Sequence, residues 1–165
     1  MIPKALQKYF ENIKVKPQGI VHKTVFTAYD LAKTTKTKLE TIAKTMLLKV
    51  EPPYGESKSK YIIAVLPASH NVDFKKLAKS LGVKKVAIAA EQAMVKLFKV
   101  KPGAMTAFGP YHKKTPVIID KALLKSKKII ARGGSFTESV LMSARDFLKA
   151  TEGAVATFAK KVRAK

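Results

Sequence analysis

Thr45-Met46-Leu47-Leu48-Lys49-Val50 and Tyr61-Ile62-Ile63-Ala64-Val65-Leu66 are two mostly apolar stretches separated by Pro52, Pro53, Gly55 and Ser57. Both have strand length and the residues between them favour turns, so the segment reads as two adjacent strands joined by a loop. Outward from this pair the periodicity changes. Upstream, Leu6, Tyr9, Phe10 and Ile13 recur at helical spacing, and Pro17 and Gly19 end that helix. A short strand is expected over Val21 to Phe26, followed by a helix that Thr27 caps, while Thr37-Lys38-Leu39-Glu40 has the spacing of a capping box. Downstream, Asn71 or Asp73 caps a helix with Phe74, Leu77, Ala78 and Leu81 on one face, and Gly82 stops it. A strand over Val86 to Ala89, a helix over Glu91 to Phe98, and turns at Pro102-Gly103 and Gly109-Pro110 follow. Strands over Val117 to Ile119, Lys127 to Ala131 and Ser139 to Met142 precede a helix opened by Ser143, and Lys160 to Lys165 reads as a frayed helix end. Short elements alternate without the long crossovers of a doubly wound sheet, which implies a mixed α+β domain.

The 165 residues fit one domain, 1–165, with 1–20 as an N-terminal helix and connector and 156–165 as a basic C-terminal end. A hydrophobic fraction of 47% supplies enough apolar surface for a core. The longest apolar run, Ile62 to Ala68, is far short of the roughly 20 residues that span a bilayer, so no membrane association is expected. With no cysteine and no secretory leader, a cytoplasmic location is expected, and thiolate metal sites and thiol nucleophiles are excluded.

Lys and Arg number 33 against 11 Asp and Glu, a formal charge of +22, and 30 of the cations are lysines. Such an excess favours a polyanionic partner through counterion release, with nucleic acid the leading class; adaptation to solubility gives the same composition. Lysine is a point charge suited to phosphates, whereas base readout in duplexes relies on bidentate arginine. The cations are dispersed, which puts the binding face on the folded body.

His22, His70 and His112 lie too far apart for a helical metal-ligand pair, and no Gly-x-Ser-x-Gly, GxGxxG or GxxxxGK[ST] motif occurs. No metal and no cofactor are expected. Three segments remain. Gly103-Ala104-Met105-Thr106-Ala107-Phe108-Gly109-Pro110 could bring backbone amides up to a carbonyl, or form a plain turn. Arg132-Gly133-Gly134-Ser135 reads as a hairpin turn or a site, and Lys44, before the first apolar strand, as a surface group or a functional cation.

Taken in order, Ile42 to Lys49, Ala64-Val65-Leu66-Pro67, Asp73 to Ala78 with Leu81-Gly82, Pro102 to Gly109, Pro116 to Asp120 and Gly133-Gly134 resemble the YbaK/ProX-type aminoacyl-tRNA deacylases, which share their domain with the editing insertion of bacterial prolyl-tRNA synthetases. The resemblance covers roughly Thr27 to Val155. It implies a mixed, mainly antiparallel sheet bent around a pocket and flanked by short helices. It also implies that Lys44 holds the 3′ end of a mischarged tRNA and that Gly103 begins the loop whose amides face the ester carbonyl. Water would then attack with help from the substrate itself. Thr45, Ala104, Met105, Thr106, Ala107, Phe108, Gly109, Gly133 and Gly134 become candidate pocket residues, and Lys23, Lys49, Lys113, Lys114 and Arg132 candidate tRNA contacts. Ala107 stands where the family carries proline, and Ala104 where a second glycine is common.

The function implied is a trans-editing hydrolase for mischarged aminoacyl-tRNA, with tRNA and an aminoacyl-tRNA synthetase as expected partners. A non-catalytic tRNA-binding or synthetase-associated module, and a small-molecule binding domain with incidental charge, are the alternatives.

Overall fold

A computed structural model describes residues 2–56, 58–99, 101, 105–112 and 114–161. The hairpin at its centre is β2 (Ala43–Tyr54) against β3 (Ser59–Pro67), antiparallel from Ala43 opposite Pro67 to Lys49 opposite Tyr61. β5 (Lys85–Ile88) flanks β2; β6 (Val117–Asp120) lies parallel to β3, and β9 (Ala154–Ala156) parallel to β6. The order is β5-β2-β3-β6-β9. A second sheet, β1-β8-β7, is formed by Gln18–Val21, Glu138–Ser143 and Lys128–Arg132, all antiparallel, and meets the first through a bridge between Ile42 and Ile130. A ribbon of β4 (His70–Val72) and β10 (Ala159–Lys161) completes the mixed, mainly antiparallel arrangement.

The central sheet is buried on both faces, which is why β3 reads as a continuous apolar run. Odd-numbered Leu47, Ile63 and Val65 point into a core with Val117, Ile119, Phe108 and Phe147, whereas even-numbered Leu48, Ile62, Ala64 and Leu66 point into another with Leu77 and Phe158. Helix α1 (Lys4–Asn12) adds Leu6 and Phe10 to the first core, and the Phe10 ring meets Phe108 edge-on at 5.0 Å. Helix α3 (Phe74–Leu81) covers the second; Asp73 caps it by accepting from the Lys76 amide, and Gly82 ends it at φ +69°. Helix α5 (Ala144–Thr151) starts at a Ser143 cap as its sequence implies. Helix α2 (Ala28–Thr35), capped by Thr27, packs Leu31 and Ala32 with Val25, Ile42 and Ile130 between the sheets.

Four expectations are corrected. The strand expected over Val21 to Phe26 is displaced to Gln18–Val21, because residues after Val21 bond to the loop before β8, with the His22 amide on Thr137 O and Val25 on Phe136 O. Thr37 to Glu40 is not a capping box: a single 3-10 turn, Leu39–Thr41, starts from Lys38, and Thr37 bonds to Thr35 instead. Pro52 and Pro53 lie inside β2, where its register with β3 breaks between Lys49 and Tyr54. Lys160 and Lys161 belong to β10, paired with Asn71 and His70, not to a helix. The last stretch of Glu91 to Phe98 is a wide π-helical turn, Met94–Phe98, after a short α4 (Glu91–Ala93). No described helix is long and apolar enough to cross a membrane.

Candidate functional site

β5 is shorter than β2, and this difference makes the site. It pairs with β2 over Leu48 to Glu51, and Ala89 donates its amide to Leu47 O just beyond. Further back, Ala43 to Met46 have β3 on one side and no ladder partner on the β5 side among the described residues. Main-chain groups alternate sides along a strand, so the orientation of Leu47 O fixes that of Thr45: its amide and carbonyl face the open edge. A cleft of about 220 Å³ lies along this edge, lined by Phe26, Thr27, Ala28, Ala43, Lys44, Thr45, Met94, Met105 and Arg132.

Four residues singled out from the sequence, Lys44, Thr45, Met105 and Arg132, therefore border one cleft. Thr45 Oγ1 is buried and has no hydrogen-bond partner among the described residues. Lys44 is half-buried, and its ammonium donates to His70 O and, at 3.1 Å, to Asn71 Oδ1. Both acceptors lie in β4, whose Val72 belongs to the core opposite Thr45's face. Lys44 thus borders the cleft while its ammonium is tethered to β4, which does not line the cleft, and burial lowers the ammonium's pKa from the usual lysine value.

Arg132 is 6% exposed. Its Nη1 donates to Val25 O at 2.9 Å, and its other N–H groups have no acceptor among the described residues. Burial pushes its pKa down, and the Asp30 carboxylate opposes that shift. Arg132, a candidate tRNA contact from the sequence, is a desolvated cation in the cleft wall.

The loop after Met105 turns away from the cleft. Thr106 is buried and its Oγ1 lies 2.7 Å from His112 Nε2, which also accepts the Thr106 amide at 3.2 Å. An amide can only donate, so Nε2 is the unprotonated nitrogen and the imidazole is neutral. Burial lowers the His112 pKa to about 4. Ala107 and Phe108 are fully buried in the core, outside the cleft lining. Gly109 packs so closely on Thr115 that a Cβ would stand 2.1 Å from Thr115 O. Gly133 abuts Ile2 and Glu138, and Gly134, at φ +89°, abuts Pro3, so neither lines the cleft. Gly103, Ala104 and Lys113 lie outside the described residues.

The proposed basic face does not form one patch at the cleft: Lys23, Lys49 and Lys114 are exposed, and none of them lines it. Lys49 stands in the paired half of β2, and Lys114 borders a different depression with Glu152. Sequence reasoning missed Phe26, Met94 and the lock formed by His112. Met94 has the spacing of a core residue, and Phe26, 62% exposed with its ring tilted against Phe136 at 4.9 Å between centroids, gives no periodic signal. A larger groove of about 390 Å³, lined by Ile20, Thr35, Lys128 and Leu141 among others, is mostly apolar and gathers none of the expected residues. Among the described residues no cluster of metal-ligating side chains exists.

Comparison with known proteins bears on this arrangement. The model of the aminoacyl-tRNA editing domain matches residues 22–150. Among solved structures, a candidate trans-editing enzyme for prolyl tRNA synthetase superposes with a TM-score of 0.81 at 16% identity, covering 97% of this chain and 99% of that one. The hypothetical protein APE2540 gives 0.82 at 17% identity, over 95% of this chain and 100% of the other. A signal transduction protein candidate from Marinobacter aquaeolei VT8 contains a similar fold in 31% of its length, with a TM-score of 0.70 at 16% identity over 96% of this chain. At these identities the structures speak for the fold alone.

Proposed function

Because the chain belongs to the aminoacyl-tRNA editing-domain family, we propose that it is a deacylase that hydrolyses the ester of a mischarged aminoacyl-tRNA in the cleft beside the open edge of β2. The observation that carries this reading is the convergence of Lys44, Thr45, Met105 and Arg132 on that cleft. The aminoacyl group enters between Met94 and Met105, and the terminal ribose lies towards Lys44. The unpaired main chain of Thr45 and its Oγ1 offer hydrogen bonds to the ester, where a donor aimed at the developing oxyanion lowers the barrier.

The cleft wall contains no carboxylate, imidazole or thiol among the described residues. In line with what the family resemblance implies, water is the nucleophile, and a hydroxyl or amine of the substrate assists its deprotonation. The carbonyl carbon gains the oxygen of water, the ester C–O bond breaks, and the ribose hydroxyl leaves with a proton. The enzyme contributes position and electrostatics.

Incubating the protein with a panel of mischarged tRNAs tests the reading. At least one should be deacylated well above the buffer rate, and Lys44→Ala should remove that activity. No turnover on any member, or an unchanged Lys44→Ala variant, refutes it. Tight, salt-sensitive tRNA binding without turnover would select a non-catalytic tRNA-binding module, the reading that the missing loop proline at Ala107 favours.

A further inference from the structure

The cleft holds a cation that ester hydrolysis does not need. Arg132 sits at the end of β7 with 6% exposure, yet only Nη1 has an acceptor, Val25 O. A guanidinium carries five N–H donors in a planar fork, and the remaining ones have no acceptor among the described residues. They are not sealed in the interior either, because the residue lines the cleft and none of its nitrogens is a buried orphan. The wall around the guanidinium is otherwise made of Phe26, Ala28, Ala43, Met94 and Met105, with Thr27, Lys44 and Thr45 as its polar members. Asp30, on the first turn of α2, is the acid that acts on it electrostatically. A desolvated guanidinium with most of its fork empty gains most from an oxyanion that presents two oxygens in one plane.

We propose that the cleft contains an oxyanion subsite in which Arg132 binds a carboxylate or phosphate of the substrate through the N–H groups not used by Val25. This rests on the reading of the cleft as a substrate site. Two parts of an aminoacyl-tRNA carry that chemistry: the phosphate of the terminal nucleotide and the side-chain carboxylate of an acidic aminoacyl group. Arg132 also holds Val25 in place, which a structural role alone would explain, so the test must read the empty donors rather than stability.

The chain has three arginines, Arg132, Arg145 and Arg163, so their Nε–H resonances can be followed individually by NMR in the wild-type protein. The probes are matched pairs differing only in the anion: adenosine monophosphate against adenosine, and N-acetyl-aspartate α-amide against N-acetyl-asparagine α-amide. The Arg132 Nε–H should shift saturably with one anionic probe, with affinity about tenfold or more above its neutral partner. Exposed Arg145 should not respond in this way. A response to the monophosphate assigns the subsite to the tRNA terminus; a response to the aspartate derivative assigns it to the acyl side chain and makes acidic aminoacyl-tRNAs the preferred substrates. Arg132→Gln should abolish the difference within the responding pair, and Arg132→Lys should keep part of it. If Arg132 is unmoved by both anions, or if Arg132→Gln discriminates as the wild type does, the subsite does not exist. Should Arg132→Gln not fold, the wild-type titration decides alone. An Arg132 response in a protein that deacylates no tRNA would overturn the proposed function and leave the subsite standing; deacylation without the response would do the reverse.

Discussion

The two halves of β2 share one strand and one partner in β3, yet they have opposite uses. From Leu48 to Glu51 the strand is paired with β5, and as far as Lys49 with β3 as well, and Leu48 and Val50 are buried in the core. From Ala43 to Met46 the β5 side is open, and the same backbone becomes a cleft wall with an unpartnered threonine hydroxyl. A site can thus be made by ending a neighbouring strand early: the ladder that would satisfy the backbone is withheld, leaving main-chain groups for a ligand.

The widest expected contrast is in stability. Leu48→Ala should cost about 2–5 kcal/mol in urea unfolding, as for large-to-small changes in a packed core. Thr45→Val should cost about 1 kcal/mol or less, because it removes a hydroxyl that has no partner among the described residues. It should nevertheless slow deacylation. Equal losses at the two positions would break the division of the strand.

His112 tests whether the loop behind Met105 belongs to the rigid half. Its pKa is lowered from 6.5 to about 4, so above pH 6.5 its contribution is present in full, and it is lost as the pH falls toward 4, where the unfolded imidazole is charged and the folded one resists. That term amounts to up to about 3 kcal/mol, readable as a fall in melting temperature over this window that His112→Leu does not show. At neutral pH His112→Leu should cost about 1–3 kcal/mol by orphaning the Thr106 amide, and His112→Gln should recover part of the loss. A pH-independent difference between wild type and His112→Leu would show that the imidazole is not held neutral.

Lys44→Met should change stability by about 1 kcal/mol or less, since the residue is partly exposed to solvent. The smallest effect is expected for Lys49→Gln and Lys114→Gln, within about 0.5 kcal/mol in stability, each lowering the salt slope of tRNA binding by about 0.9 only if that residue touches phosphate.

Much of this fold is legible in the sequence because its signals are local. Thr27, Asp73 and Ser143 cap the helices they precede, Gly82 ends α3, and the β2–β3 hairpin carries the two-faced apolar run of a buried sheet. The misplacement of β1 and the false capping box at Thr37 have a common cause: both segments are set by bonds to residues distant in sequence or by closure of the preceding helix, which propensity does not record. For the site, order and spacing brought Lys44, Thr45, Met105 and Arg132 to attention. They could not tell that Ala107 and Phe108 face the core, that Arg132 is desolvated, or that the Lys44 ammonium is tethered to β4, because each depends on which side of a strand or loop a residue faces.

The measurement that bears most directly on the account is chemical-shift mapping with a non-hydrolysable analogue, an aminoacyl group joined by an amide to 3′-amino-adenosine. Binding at the open end of β2 requires the largest shifts at Thr45, Met105 and Arg132. Shifts concentrated instead along Ile20, Thr35, Lys128 and Leu141, with Thr45 unmoved, would place the ligand in the larger groove and contradict the assignment.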